Sequence, residues 1–209
     1  MGDPSFDRTA FPSYPRLPMT QTQVDKIKRL YAQPPLVLTG INAKEDAVKR
    51  GMEESDVIHL ASHYVVHESD PMNSGLLLAP EQNDAHGSQG SGGFLRADEV
   101  YRLRLCRCPL VVLSACDSGV ERYYNGEGMI GLARAFIAAG APVVVASLWQ
   151  VEAFATNDLM VDFHRYREVD GLSSSAALME AQKKMLGDDS HKHPYYWAGF
   201  TAVGGQTVF

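Results

Sequence analysis

Cysteine is scarce in this chain. Three cysteines in 209 residues are an odd number and too few for the disulfide framework of a small secreted scaffold, so Cys106, Cys108 and Cys116 are expected as thiols in a reducing compartment. Long apolar runs are missing as well. No stretch approaches the roughly 18 consecutive apolar residues that a membrane-spanning helix needs, and the N-terminus lacks the basic-then-apolar order of a secretion signal. No membrane association is expected, and the predicted location is cytoplasmic. Positive charge is also in short supply: 19 Lys and Arg face 25 Asp and Glu, for a net charge of -6, and the basic residues are scattered. Such a surface does not neutralise phosphate, so no nucleic-acid partner is expected. What the chain does contain, 45% hydrophobic and 21% charged residues, matches a folded domain, and the length suits a single one.

Residues 1–19 hold Pro4, Pro12, Pro15 and Pro18 among aromatics and read as an extended arm or linker, with the folded domain expected over 20–209. Val24, Ile27, Leu30 and Tyr31 recur at helical spacing up to Pro34, and a short strand is expected at 36–38. A helix over 44–50 should stop at Gly51. Short apolar runs at 57–62 (VIHLAS), 76–78, 110–115 (LVVLSA), 142–149 (PVVVASLW) and 197–203 read as strands. Helices are expected at 95–103, at 128–139 with Gly140 as its cap, at 156–169, and from Ser173 or Ser174 to about 187. The stretch 82–93 is rich in Gly, Ser, Asn and Asp and reads as a surface loop. Strands that are nearly continuous in apolar residues and alternate with helices imply an α/β fold, with a mostly parallel sheet covered on both faces.

In an open parallel sheet, ligands bind beyond the carboxyl ends of the strands. His63 follows directly on the 57–62 strand and Cys116 on the 110–115 strand, so neighbouring parallel strands would deliver both side chains to one rim. A free thiol is mostly protonated at neutral pH, and a nearby imidazole is one of the few groups able to ionise it. The Cys116 N–H, at the turn leaving its strand, is placed to stabilise the oxyanion formed when a thiolate attacks a carbonyl.

The blocks HLASH (59–63), SGLLLA (74–79), LVVLSACDSG (110–119), GEGMIGLARAFIAAGAPVVVASLWQV (126–151), AALMEAQKKM (176–185) and HPYYWAGFTAVG (193–204) resemble the CHAT family of caspase-like cysteine peptidases, distant relatives of caspases and separase. The resemblance implies a caspase-like, mostly parallel sheet of about six strands sandwiched by helices. It also implies endopeptidase activity on a protein or peptide substrate through a thioester acyl-enzyme, with His63 and Cys116 as a catalytic dyad and no cofactor. His63 lies 53 residues before Cys116, close to the separation of about 50 seen in caspases. The family usually has glycine after its histidine, where Tyr64 stands here; the Tyr64 N–H would be the second oxyanion donor beside that of Cys116. Glu152, Ala153, Phe154 and Asp117 are expected to line the substrate pocket. Where relatives often carry several acidic residues only Glu152 remains, so an apolar or mixed preference is expected rather than strictly arginine. The family's frequent fusion to helical repeat arrays makes a helical repeat protein or domain the expected regulatory partner.

Other residues have simpler readings. Cys106 and Cys108 have no such motif around them and read as structural or surface thiols. His59, His63 and His67 would share one face of a strand but be spread too far apart for one ion, so no metal site is expected. GSQGSGGF (87–94) lacks the Lys-Ser/Thr ending of a phosphate-binding loop. The competing function is an inactive caspase-like fold that serves as a protein-interaction module, since function resides in a site and not in a fold.

Overall fold

The computed structural model describes residues 1–67, 69–81, 93–114, 128–149 and 151–205, the side chains of 128–130 excepted. In chain order the elements are β1 (Gly2–Pro4), α1 (Pro18–Ile27), β2 (Thr39–Gly40), α2 (Glu45–Glu54), β3 (Val57–Leu60), β4 (Tyr64–Val65), β5 (Gly75–Leu77), β6 (Phe94–Arg96), α3 (Ala97–Val100), β7 (Leu110–Leu113), α4 (Gly128–Ala138), β8 (Val143–Ser147), α5 (Ala153–Glu168), α6 (Ser174–Leu186) and β9 (Phe200–Gly204).

The central sheet has the order β3-β7-β8-β9. β3, β7 and β8 run parallel and β9 closes the edge antiparallel. Sequence predicts about six strands in one sheet, and among the described residues four are laddered together. Of the others, β1 and β2 form a parallel pair joined to it through the bridge Gly2↔Ala61, and β4-β5-β6 form a separate antiparallel sheet.

Successive residues of a strand face opposite sides of a sheet, and both sides are buried here. Val111, Leu113, Val144 and Ala146 pack with Val48 and Met52 of α2, Val100 of α3, and Leu132 and Phe136 of α4. Leu110, Val112, Val143 and Val145 pack with Leu159 and Phe163 of α5 and Ala177 and Ala181 of α6. Helices therefore cover both faces, which is why these strands carry no polar alternation.

Element ends differ from the sequence reading for local reasons. α1 begins at Pro18, which suits a first helical turn because proline has no N–H to lose there. α2 runs through Gly51 to Glu54. That glycine serves packing, since a Cβ there would lie 2.7 Å from Leu36 Cδ2. The 95–103 segment divides into β6 and the single turn α3, because 94–96 pair with β5. Gly140, at φ 116°, takes the chain out of α4 as expected, with the Ala141 N–H returning to the Phe136 carbonyl.

The Pro-rich segment packs onto the domain. Asp3 is buried at φ 41°. Its carboxylate accepts from the Leu17 N–H (3.1 Å) and pairs with Arg16 (2.5 Å). Its own N–H donates to Thr20 Oγ1 (2.7 Å). These bonds clasp β1 to the start of α1.

Candidate functional site

β3 and β7 are neighbours in register. Leu60 pairs with Leu113, and the Ser114 N–H donates to the Leu60 carbonyl at 2.8 Å. Past that pair the two chains leave the sheet on the same side: His63 stands three residues beyond Leu60, and Cys116 three residues beyond Leu113. Cys116 and Asp117 lie outside the described residues.

His63 is fully buried. Its Nε2 lies 2.6 Å from the Pro15 carbonyl oxygen. A carbonyl only accepts, so Nε2 carries the proton and Nδ1 is the basic nitrogen of the neutral ring. The rings of Phe6 (5.5 Å) and Tyr14 (5.1 Å) meet the imidazole edge-on. The Pro15 carbonyl, Phe6 and Tyr14 all belong to the Pro-rich segment, which reads from sequence as an extended arm or linker. Its aromatics were the available signal, since a solvated linker has no use for Phe6, Phe11 and Tyr14.

Tyr64 opens β4 opposite Leu76. Because the Leu77 N–H donates to the His63 carbonyl (3.0 Å), the alternation of an antiparallel ladder turns the Tyr64 N–H away from β5. Among the described non-glycine residues positive φ is found at Asp3, so the backbone at Tyr64 needs none of glycine's freedom. Its ring is buried in the core beside β5 and burial raises the phenol pKa.

The expected pocket residues separate. The Glu152 carboxylate caps α5, accepting from the Phe154 N–H (2.9 Å) and the Ala155 N–H (2.8 Å). Phe154 is 60% exposed. Ala153 lines a cavity of about 80 Å³ beside Ser62 and Ser114, the residues at which β3 and β7 leave the sheet.

Behind this rim runs a buried polar chain that the sequence did not announce. Gln23 Oε1 can only accept, so His59 Nε2 (3.1 Å) and the Ser114 hydroxyl (3.1 Å) both donate to it. His59 Nδ1 is then an acceptor for His164 Nε2 (3.1 Å), and His164 Nδ1 accepts from the Tyr31 hydroxyl (2.8 Å). Every proton in the chain is fixed by that one amide oxygen. Both rings are held neutral: burial, reinforced by the other imidazole, keeps His59 well below its ordinary pKa, and burial with the nearby Arg167 guanidinium takes His164 down to about 3.

The three histidines weighed as a metal group part ways. His59 belongs to this chain, His63 to the segment before α1, and His67 Nδ1 accepts from the Asp70 N–H (3.2 Å). Among the described residues no cluster of three metal-ligating side chains occurs. Cys108 is buried with its thiol donating to the Leu110 carbonyl (3.1 Å), and burial pushes its pKa to about 11. Cys106 is exposed.

An α/β domain with helices on both faces, and a buried histidine just beyond the end of β3, agrees with the class of architecture that the motif blocks implied. The chain belongs to the CHAT domain family, whose model matches residues 1–205. That match takes in the Pro-rich segment with the rest. Among curated proteins, tetratricopeptide repeat protein 28 of Mus musculus is 28% identical over 219 residues covering 90% of this chain. The Homo sapiens protein of that name is 27% identical over 218 residues, again 90% of this chain. The chain spans 8% of the length of each.

Proposed function

We propose that this domain is a cysteine endopeptidase in which Cys116 is the nucleophile and His63 its base. The observation that carries the reading is the shared register of β3 and β7, Leu60 against Leu113, with the histidine and the cysteine each three residues farther on. A second support is the Pro15 carbonyl, which holds the His63 proton on Nε2 and so leaves Nδ1 as the basic atom. In this reading the Cys116 thiol gives its proton to His63, and the thiolate attacks the peptide carbonyl carbon. The Tyr64 and Cys116 N–H groups donate to the oxyanion. Collapse breaks the C–N bond, His63 protonates the leaving amine, and water then hydrolyses the thioester. The chain would work in the cytoplasm, where its thiols stay reduced. The name of the tetratricopeptide relatives supports regulation by a helical repeat partner or domain.

Alkylation with iodoacetamide followed by peptide mapping tests the dyad. Cys116 should react faster than exposed Cys106, while Cys108 stays unmodified in the folded chain because its thiol is buried and fewer than about one in a thousand is ionised at pH 7. His63→Ala should bring Cys116 down to the rate of Cys106. Equal rates at Cys116 and Cys106 in the unaltered protein would reject the reading in favour of a non-catalytic interaction module.

A further inference from the structure

The hydrogen bond between His63 and the Pro15 carbonyl closes a ring of contacts that passes through one buried carboxylate. β1 lies against the end of β3: the Ala61 N–H donates to the Met1 carbonyl (2.9 Å), and Gly2 bridges Ala61, two residues before His63. On its other side β1 approaches α1 so closely that a Cβ on Gly2 would lie 2.7 Å from the Thr20 carbonyl oxygen. Asp3, next in β1, is 5% exposed and reaches across to the segment that carries Pro15. Its Oδ1 accepts from the Leu17 N–H (3.1 Å), its Oδ2 pairs with Arg16 (2.5 Å), and its own N–H donates to Thr20 Oγ1 (2.7 Å). From Leu17 the chain runs back two residues to Pro15, whose carbonyl oxygen meets His63 Nε2 at 2.6 Å. Both ends of that last bond therefore hang on β1.

The stretch between the clasp and the carbonyl has little freedom of its own. Proline fixes φ at 15 and at 18, and Leu17, which precedes a proline, is kept out of the helical region at φ −116° and ψ 57°. What remains adjustable is the rotation of the Pro15–Arg16 peptide, which points the carbonyl. The two groups that follow it, the Arg16 side chain and the Leu17 N–H, are both held by Asp3. An apolar contact would keep β1 against α1 without desolvating a carboxylate or holding a residue at φ 41°. A carboxylate adds direction, because its two oxygens fix donors on two successive residues. We propose that Asp3 is a positioning residue for His63: by holding Arg16 and Leu17 it aims the Pro15 carbonyl, which keeps the imidazole in the tautomer and rotation that make Nδ1 the base. The inference rests on the peptidase reading and goes beyond it by assigning a third group, which acts on the dyad through Pro15. Without the clasp the carbonyl turns away and His63 is free to rotate and to change tautomer. Fewer thiols are then ionised at a pH where an unaided thiol is protonated. Well above the ordinary thiol range ionisation needs no histidine, so the loss should vanish there.

Iodoacetamide alkylation of the full chain at about pH 6.5 and about pH 9.5, followed by peptide mapping, reads the rate at Cys116 relative to Cys106. Asp3→Ala should lower that ratio about tenfold at the lower pH and leave it within about twofold of the parent's at the higher. Asp3→Asn keeps an acceptor for the Leu17 N–H and a residue type that tolerates positive φ, and Arg16→Gln removes the ion pair alone. Each should lower the ratio by about threefold at the lower pH, the scale of a half-exposed ion pair. If Asp3→Ala does not fold, which alkylation of Cys108 would reveal, these two milder variants carry the test. A second readout is the proton resonance of His63 Nε2–H, assigned by its absence from His63→Ala. It should exchange slowly in the parent, faster in the milder variants, and be lost in Asp3→Ala. Ratios within about twofold of the parent's in every folded variant, an equal loss at both pH values, or a resonance unchanged in every folded variant would each overturn the proposal. Failure of the peptidase reading looks different: Cys116 then reacts no faster than Cys106 in the unaltered chain, while the resonance still answers to Asp3. A reactive Cys116 beside a ratio and a resonance indifferent to Asp3 sinks the positioning role alone.

Discussion

The buried chain Tyr31–His164–His59–Gln23–Ser114 makes stability depend on pH in a defined window. In the unfolded chain a histidine titrates near 6.5, whereas folding holds His164 down to about 3, so between these values the unfolded state binds the extra proton. Stability is therefore full above about pH 7 and falls as the pH drops through 6.5 toward 3, by up to about 1.4 kcal/mol per pH unit for one histidine. From pH 7 to pH 4.5 the His164 contribution alone amounts to a loss of about 2.5 kcal/mol. His59 is shifted in the same direction and adds to it. The physical source is burial, which penalises the charged ring; a second proton on His59 would also set its Nδ1–H against the His164 Nε2–H, and one on His164 would displace the Tyr31 hydroxyl proton from Nδ1. Urea unfolding of the parent chain and of His164→Gln, at half-unit steps from pH 7 to pH 4.5, isolates the effect. The glutamine offers one donor and one acceptor but does not titrate. The parent should lose about 2 kcal/mol more than the variant across the range. Parallel pH curves for the two proteins would refute the assignment of buried neutral imidazoles.

Two further predictions concern stability. Gly75→Ala should cost about 3 kcal/mol or more in urea unfolding, because the added Cβ would lie 2.0 Å from the Leu95 carbonyl oxygen on the paired strand; a loss below about 1 kcal/mol would show that β5 and β6 are not held so closely. Glu152→Ala should lower stability in urea unfolding by about 1 kcal/mol through loss of the α5 cap. An unchanged stability would show that the carboxylate does not hold the start of α5.

The elements whose burial is two-sided were the easiest to read. LVVLSA and PVVVASLW are apolar without a break because both faces of β7 and β8 are covered, and their positions and α/β setting follow from that alone. Motif blocks gave the family, which the match over 1–205 bears out. The shorter strands were poorly legible. β2 is two residues long and falls at Thr39–Gly40 rather than at 36–38, since only contact with β1 makes it a strand.

Sequence by itself determined that one domain-sized α/β core forms, that the runs ending near His63 and Cys116 are strands, and that Gly140 ends its helix, because each of these follows from local pattern and backbone sterics. Tertiary structure alone decided what surrounds His63. The Pro15 carbonyl, Phe6 and Tyr14 lie about 50 residues before it or more in the chain, and no periodicity encodes a contact across that gap. The same holds for Gln23, His59, Ser114 and His164, which are unremarkable letters until packing removes water from them. Only then must each proton find a partner, as those from Tyr31 through His164 and His59 to Gln23 do.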